Sequence, residues 1–465
     1  MSAKTVRNNI EKIHGLRFMV EHLDLHSGLA KRLLLSLPLI TDKAALAKEI
    51  SNTTEVFSCL KNPILTGAIS NVCVKLDQLH DIQGTLKRIA AGETLDDVEL
   101  FEVKRLAMLC QEIAILMDPL ALSFFKLPSL QEVIDLLDPE KQRVPHFYIY
   151  SSYSGELAML REKAKQLHTT QPEESEKVRL MAVEIEDGIR QKLSQQLSPF
   201  VEALENSLHS VAYLDLAIAK AKQAIALNLV KPEISEENTR YTGLFNPQIK
   251  TLLEAQDKMF QPIDIELLQA PCLITGVNMG GKTVLLKTIA LSQYLFQYGF
   301  YVPAAKAVIA IADQVVTSMG DDQSELSGLS SFASEMMNIN EIVRLSRSKT
   351  RSLVLIDELA RTTNPEEGKA IVNATLDLLS KNGVRSLITT HYSGLSWNGR
   401  KLSVKGLSTE KMTEPLTLQN INNYMDYSLV ENDSQTSTHR ALQIAQLLGV
   451  DQELLDKAGH YLENN

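Results

Sequence analysis

The sequence predicts an α/β domain built around a glycine-rich phosphate loop and preceded by a long, mostly helical half. Three observations predict it. An apolar run ends in a glycine loop and resumes as a helical pattern from Val284 to Leu291. A second apolar run, Ser352-Leu353-Val354-Leu355-Ile356, ends in the carboxylates Asp357 and Glu358. The first 240 or so residues are sparse in glycine and dominated by Leu, Ala, Lys and Glu, the composition of helices.

The first run, Cys272-Leu273-Ile274-Thr275, reads as a short strand, and Gly276-Val277-Asn278-Met279-Gly280-Gly281-Lys282-Thr283 as the loop that follows it. Strand, glycine loop and helix in that order form the context a phosphate cradle needs. Glycines let backbone N–H groups turn inward around phosphate oxygens where a Cβ would block the approach. The helix that follows aims its positive end at the same anion. Lys282 is placed to reach the β- and γ-phosphates of a nucleotide, and the Thr283 hydroxyl to hold Mg²⁺.

Four consecutive apolar residues bounded by polar ones make the second run a strand buried on both faces. Carboxylates at the end of such a strand are costly to bury unless a cation or a reaction uses them. Asp357 is placed to hold the Mg²⁺ shell through water, and Glu358 to orient or deprotonate an attacking water. The next candidate strand, Val384 to Thr390, ends at His391. Ligands of open α/β sheets sit at that end of the strands, so His391 can contact a γ-phosphate or its water.

Composition bounds the rest. The chain has 465 residues, enough for two to four domains, and 44% apolar content supports real cores. A net charge of −10 provides no global basic field for nucleic acid. Cys59, Cys73, Cys110 and Cys272 have neither metal spacing nor a disulfide pattern, as expected of a reducing cytoplasm. The first residues lack the apolar core of a signal peptide, and no apolar run reaches membrane-spanning length. A cytoplasmic protein without membrane contact is expected.

In the first half, Leu100 to Met117 carries apolar residues at helical spacing, and Val144 to Tyr150 is the main strand candidate. Ala182, Ile185, Ile189 and Leu193 recur every three or four residues, and Val201, Leu204, Leu208 and Val211 continue the stripe. This predicts a long antiparallel helical arm, broken at Ser198-Pro199, whose stripe is packing core. Between Ser151 and Phe200 seven Lys/Arg face eight Asp/Glu, so the arm has no positive excess for gripping a polyanion. The tail from Ala441 to Leu462 reads as two short helices with a stop at Gly449.

The order of motifs resembles the ATPase domain of MutS proteins. The resemblance runs through Gly276 to Thr283, Gly320-Asp321-Asp322-Gln323-Ser324, Leu329 to Met336, Asp357-Glu358-Leu359-Ala360-Arg361-Thr362-Thr363-Asn364-Pro365, and Thr389-Thr390-His391-Tyr392. It looks closest to the short branch without the mismatch-reading domain. The sequence is expected to lack that domain, and also the nuclease domain that ends many short-branch relatives. Val277 stands where proline is usual, and Asn246, in Leu244-Phe245-Asn246-Pro247 beside the expected adenine, where histidine is common. The resemblance implies an ABC-type P-loop ATPase with ATP and Mg²⁺ as cofactors. Nucleotide contacts would come from Gly276, Asn278, Met279, Gly280, Gly281, Lys282, Thr283 and Val284, and metal contacts from Thr283 and Asp357. Glu358, Lys282 and His391 would carry catalysis.

It also implies a composite site in a homodimer, or with a related MutS-type subunit. Ser330, with Ser331 beside it, would contact the opposite γ-phosphate, and Asn364 would lie near the seam. From the residues alone, Ser330 and Ser331 are helix caps before Phe332. The implied domains are a helical core (1–120), a lever arm with a shortened clamp region (121–240), the ATPase domain (241–410) and a C-terminal helical dimerisation segment (411–465). Leu79 to Asp97 and Leu214 to Leu229 resemble parts of that core and lever. Phe200-Val201-Glu202 matches the base-stacking triplet of mismatch sensors but reads as helix packing. Two functions remain open. In one, ATP drives changes in the grip on mismatched, damaged or branched DNA. In the other, a similar dimer remodels a protein client, as MutS-related ATPases that reactivate cobalamin-dependent aminomutases do.

Overall fold

Among the described residues six strands form one sheet and four another, and both lie in the second half of the chain. The computed structural model describes residues 5–144, 146–276, 281–319, 331–348, 350–361, 363–392, 394–408, 421–431, 440–447 and 449–463. The strands are β1 (Glu233–Ser235), β2 (Thr239–Leu244), β3 (Ile263–Leu267), β4 (Pro271–Thr275), β5 (Lys306–Ala310), β6 (Gln314–Ser318), β7 (Ser352–Ile356), β8 (Arg385–Thr389), β9 (Arg400–Leu407) and β10 (Met425–Glu431). The larger sheet has the order β10-β9-β4-β8-β7-β6, parallel throughout except for β10, which pairs antiparallel with β9. The smaller sheet has the order β1-β5-β2-β3.

All five residues of β7 and of β8 are buried, as are the first four of β4. Such continuous burial is what a parallel sheet covered on both faces imposes on its strands. The helices Ser331–Ser346 and Pro365–Lys381 contribute Ile342, Val372, Leu376 and Leu379 to a core with Leu273, Val354 and Ile388. The helix Lys282–Gln297 is buried along nearly its whole length. Its two buried glutamines are stitched to backbone: Gln297 Nε2 donates to Ile40 O and Ala312 O, and Gln293 Nε2 to Ala310 O. Asn9 Nδ2 donates to the Tyr298 hydroxyl at 3.0 Å, and a Cβ on Gly15 would lie 3.0 Å from Leu291.

The chain divides into two compact units. One comprises residues 1–22, 38–50 and 223–465, and the other residues 23–37 and 51–222. The second unit is helical, as its composition predicts. It includes Pro63–Leu76, Gln83–Ala90, Asp97–Met117, Gln131–Leu137, Gly155–Leu167 and Pro172–Leu197. Asp96 and Glu99 form a reciprocal capping box that starts Asp97–Met117, the helix expected over 100–117. The arm breaks where expected: Pro172–Leu197 ends in a tight turn, Ser198–Phe200, and a new helix begins at Val201. Ala182 and Leu193 are buried, and Ile185, Ile189 and Phe200 pack against the helical core. Phe200 ends that single turn of 3-10 helix.

The strand expected over Val144 to Tyr150 is not formed by its described residues. Among the described residues every strand lies in the other unit, so this segment has no sheet edge to join. Its alternation instead buries Phe147, Ile149 and Tyr150 against helices. The Tyr150 hydroxyl completes a buried polar cluster. Lys104 Nζ donates to Asp138 Oδ1 (3.2 Å) and to the Tyr150 hydroxyl (3.0 Å), and the Arg143 N–H donates to Asp138 Oδ2 (2.8 Å). Burial pushes the Asp138 carboxyl up, but the Arg143 N–H and the Lys104 ammonium outweigh it and hold it below its ordinary value. Its contribution is therefore present above an unfolded value of roughly 3.9 and lost as pH falls through the lower folded value. Truncating one partner strands the other charge at about 3–5 kcal/mol. Lys104→Ala is expected to lose that much in urea unfolding, whereas Lys104→Met with Asp138→Leu recovers most of it.

Candidate functional site

Strand register brings the ends of β4, β6, β7 and β8 to one edge of the larger sheet. Ile274 pairs with Thr389, Ile356 with Ile388, and Ser318 with Ile356. Gly276, Asp357 and Thr389 therefore emerge together at the carboxyl edge, where α/β sheets bind ligands.

Gly276 leaves β4 at φ 132°, and Gly281 enters the helix Lys282–Gln297 at φ 71°. Both angles lie in the region that favours glycine. A Cβ on Gly281 would also meet Tyr427 of β10 at 3.1 Å. Lys282 is 4% exposed, and its ammonium donates to Gly276 O at 2.6 Å across the mouth of the loop. Burial lowers its pKa from the ordinary lysine value, against the raising pull of Glu358 and Asp357. An anion brought to this ammonium would favour its charged form. Val284 is partly buried, and its carbonyl accepts from Thr288 Oγ1. Asn278, Met279, Gly280 and Ser330 lie outside the described residues, as do Gly320 to Ser324.

Asp357 joins the loop to the sheet. Thr283 Oγ1 donates to Asp357 Oδ2 at 2.6 Å, and Thr389 Oγ1 donates to Asp357 Oδ1 at 2.6 Å. The same Thr389 oxygen accepts the Glu358 N–H at 2.8 Å. One hydroxyl thus positions both acidic residues. A threonine hydroxyl touching a carboxylate is an oxygen donor pair that suits Mg²⁺, which takes one or two protein ligands and completes its shell with water and phosphate. Among the described residues no group of three His, Cys, Asp or Glu is gathered for a metal. Thr283 and Asp357 are the residues that would hold Mg²⁺.

After Asp357 the chain turns sharply. Glu358 (φ 51°) and Ala360 (φ 62°) are both left-handed without being glycine. Such residues cost about 1–3 kcal/mol each and persist only where surrounding contacts fix them. Here Leu359 N donates to Thr389 O, Ala360 N to Glu335 Oε1 (2.6 Å), and the Tyr392 hydroxyl to Ala360 O (2.7 Å). Arg361 closes the turn with an ion pair to Glu358 (3.2 Å).

His391 is exposed beside the ring of Tyr392, with centroids 4.2 Å apart, and makes none of the hydrogen bonds of this cluster. Asn364 caps the helix Pro365–Lys381, its side chain accepting the Glu367 N–H at 2.9 Å. Asn246 is buried, caps the helix Pro247–Glu254 and donates to Thr288 Oγ1. Ser331 begins the helix Ser331–Ser346.

Sequence reading passed over Thr389, Glu335 and Tyr392 as contributors. Thr389 carried one signal, a hydroxyl residue ending an apolar strand. Gly368 was also missed. A Cβ there would lie 2.2 Å from the Tyr392 hydroxyl oxygen and 2.4 Å from its Cζ. Gly368→Ala is expected to lose about 1–3 kcal/mol to crowding, against about 1 kcal/mol gained in helix propensity. A thermal melt no lower than that of the unaltered protein would mean that the ring turns aside at no cost.

Comparison with known proteins agrees with this geometry. Residues 272–464 match the MutS domain V family. The chain is 38% identical over 213 residues to Endonuclease MutS2 of Caldicellulosiruptor bescii, covering 45% of this chain and 26% of the relative. It is 37% identical over 218 residues to Endonuclease MutS2 of Thermus thermophilus, covering 47% and 28%. With Endonuclease MutS2 of Geobacillus thermodenitrificans it shares 35% over 277 residues, covering 58% and 33%. The matches thus span about a quarter to a third of the length of these relatives. Among the described residues no helix is long and apolar enough to cross a membrane.

Proposed function

From a chain that carries a MutS domain V and is a relative of the MutS2 proteins, we propose a Mg²⁺-dependent ATPase that couples ATP to conformational change in a dimer. One observation carries the reading: Thr283 and Asp357 touch at 2.6 Å, joining the start of the loop helix to the end of the strand that presents Glu358. Lys282 and the loop glycines bind phosphate, Asp357 and Thr283 hold Mg²⁺, and Glu358 orients the attacking water. Mg²⁺ supplies charge neutralisation on the phosphates when bound. The dimer closes a composite site to which Ser330 and Asn364 contribute across the seam.

The client is DNA of mismatched, damaged or branched structure, in repair or recombination control. The name of the relatives is support for this reading and belongs to them; the aligned part covers 26–35% of their length, so no nuclease step is drawn from it. A second reading, an ATP-dependent remodeller of a protein client, is favoured by one feature. The arm from 151 to 200 carries eight acidic against seven basic residues, which gives a polyanion little to hold.

The test is ATPase rate, together with binding to homoduplex, mismatched and branched DNA, at near-physiological salt with ATP or a slow analogue. Nucleotide-dependent, structure-selective binding supports the DNA reading. An active ATPase indifferent to every DNA turns the assignment to a protein client, and absence of Mg²⁺-dependent hydrolysis overturns the ATPase.

A further inference from the structure

Ala360 is fully buried, so both of its peptide groups must be paired. Its N–H and its carbonyl are held by different elements. The N–H goes to Glu335, on the helix Ser331–Ser346, and the carbonyl accepts from Tyr392, in the segment after β8. Ala360 stands two residues beyond Glu358, in the same left-handed turn. The Glu358 N–H is meanwhile fixed by Thr389, at the end of β8. The turn that aims Glu358 is thus tied to a helix on one side and to the β8 strand end on the other.

We infer that Glu335 and Tyr392 are positioning residues for Glu358, which clamp the Ala360 peptide and make the helix Ser331–Ser346 part of the lever that sets the reach of the carboxylate. The inference rests on the ATPase reading given above and deepens it. Neither residue touches phosphate in this scheme. Both act by holding the backbone from which Glu358 projects. Gly368 belongs to the same device, because only a residue without a Cβ leaves room for the Tyr392 ring in its clamping position. A shift of the helix Ser331–Ser346 would be felt at Glu358 through the Glu335–Ala360 hydrogen bond and the backbone of Leu359.

Misplacing a reacting group by about 1 Å can cost on the order of 100-fold in rate. Glu335→Ala is therefore expected to lower kcat by about 10- to 100-fold with little change in the KM for ATP. Glu335→Gln keeps an acceptor oxygen for the Ala360 N–H and restores most of the rate. Tyr392→Phe is expected to lower kcat by about 3- to 10-fold. The double variant Glu335→Ala/Tyr392→Phe should fall short of the product of the single effects, since both bonds end on one peptide. Hydrogen exchange provides a readout without nucleotide. The Ala360 amide should lose protection in Glu335→Ala and keep it in Glu335→Gln, while distant core amides stay protected in both. Unaltered protein without ATPase activity would overturn the functional reading and this inference with it. An active unaltered enzyme whose kcat is indifferent to Glu335→Ala, or whose Ala360 amide stays protected in that variant, would overturn this inference alone. A rise in KM with kcat unchanged would do the same, by making Glu335 a binding residue.

Discussion

Glu358→Gln retains ATP and loses hydrolysis. The substitution keeps the shape of the side chain and its place after Asp357, but removes the charge proposed to draw a proton from water. General-base assistance contributes about 10²–10⁴ in rate, and single-turnover hydrolysis is expected to fall within that range. Binding should be unchanged or tighter, since Gly276, Gly281, Lys282 and Thr283, the groups proposed to bind phosphate and Mg²⁺, are untouched. The ATP-bound form then accumulates as a closed dimer, visible as an earlier elution with ATP than without. Normal turnover by Glu358→Gln would move the base to another residue, and an unchanged monomer would remove the composite site.

Lys282→Ala is expected to abolish useful nucleotide binding. Removing the charged partner from a buried contact costs about 2–5 kcal/mol. That corresponds to a loosening of roughly 30- to several thousand-fold in Kd. The nucleotide-free protein should not suffer equally. Burial lowers the pKa of Lys282, so the unfolded chain binds that proton more tightly than the folded one. Stability from this group therefore rises with pH between the lowered folded value and the ordinary 10.5, and is least below that window. A Lys282→Met variant removes that rise. Titration calorimetry with ATP and thermal melts across alkaline pH read the two effects separately. Unchanged ATP affinity would take Lys282 out of the phosphate site.

The parts of the site that were legible in the sequence are those set by local chemistry. Apolar runs marked β4 and β7, β8 reads as the next candidate strand ending at His391, and the glycines at 276 and 281 adopt positive φ where the loop leaves β4 and enters the helix. Asp357 was readable because a carboxylate ending a buried strand needs a use, and the structure pairs it with Thr283. The contributors that were missed depend on register and on tertiary approach. Thr389 reaches Asp357 because β8 lies beside β7, and sequence order does not state that neighbourhood. Glu335 meets Ala360 across 25 positions, with no periodicity to announce it. Val144 to Tyr150 misled for a related reason: alternation signals a two-faced environment, and helices can supply one as well as a sheet can.

The contact of Asn9 with Tyr298, and of Ile40 with Gln297, has a consequence for biosynthesis. Residues 23–37 and 51–222 can finish their unit while the ribosome is still making the rest. Residues 5–22 and 38–50 cannot, because the helix they pack against is made more than 230 residues after the latter segment. Val6, Leu16, Met19 and Leu46 are buried in the finished protein, and through that interval the rest of their unit, from Gln223 onward, is not yet made. At about 5–20 residues per second the wait lasts on the order of ten seconds to a minute. The apolar residues of 5–22 and 38–50 thus wait for a late segment and gain from a chaperone's shelter, and a slowed ribosome would lengthen that need.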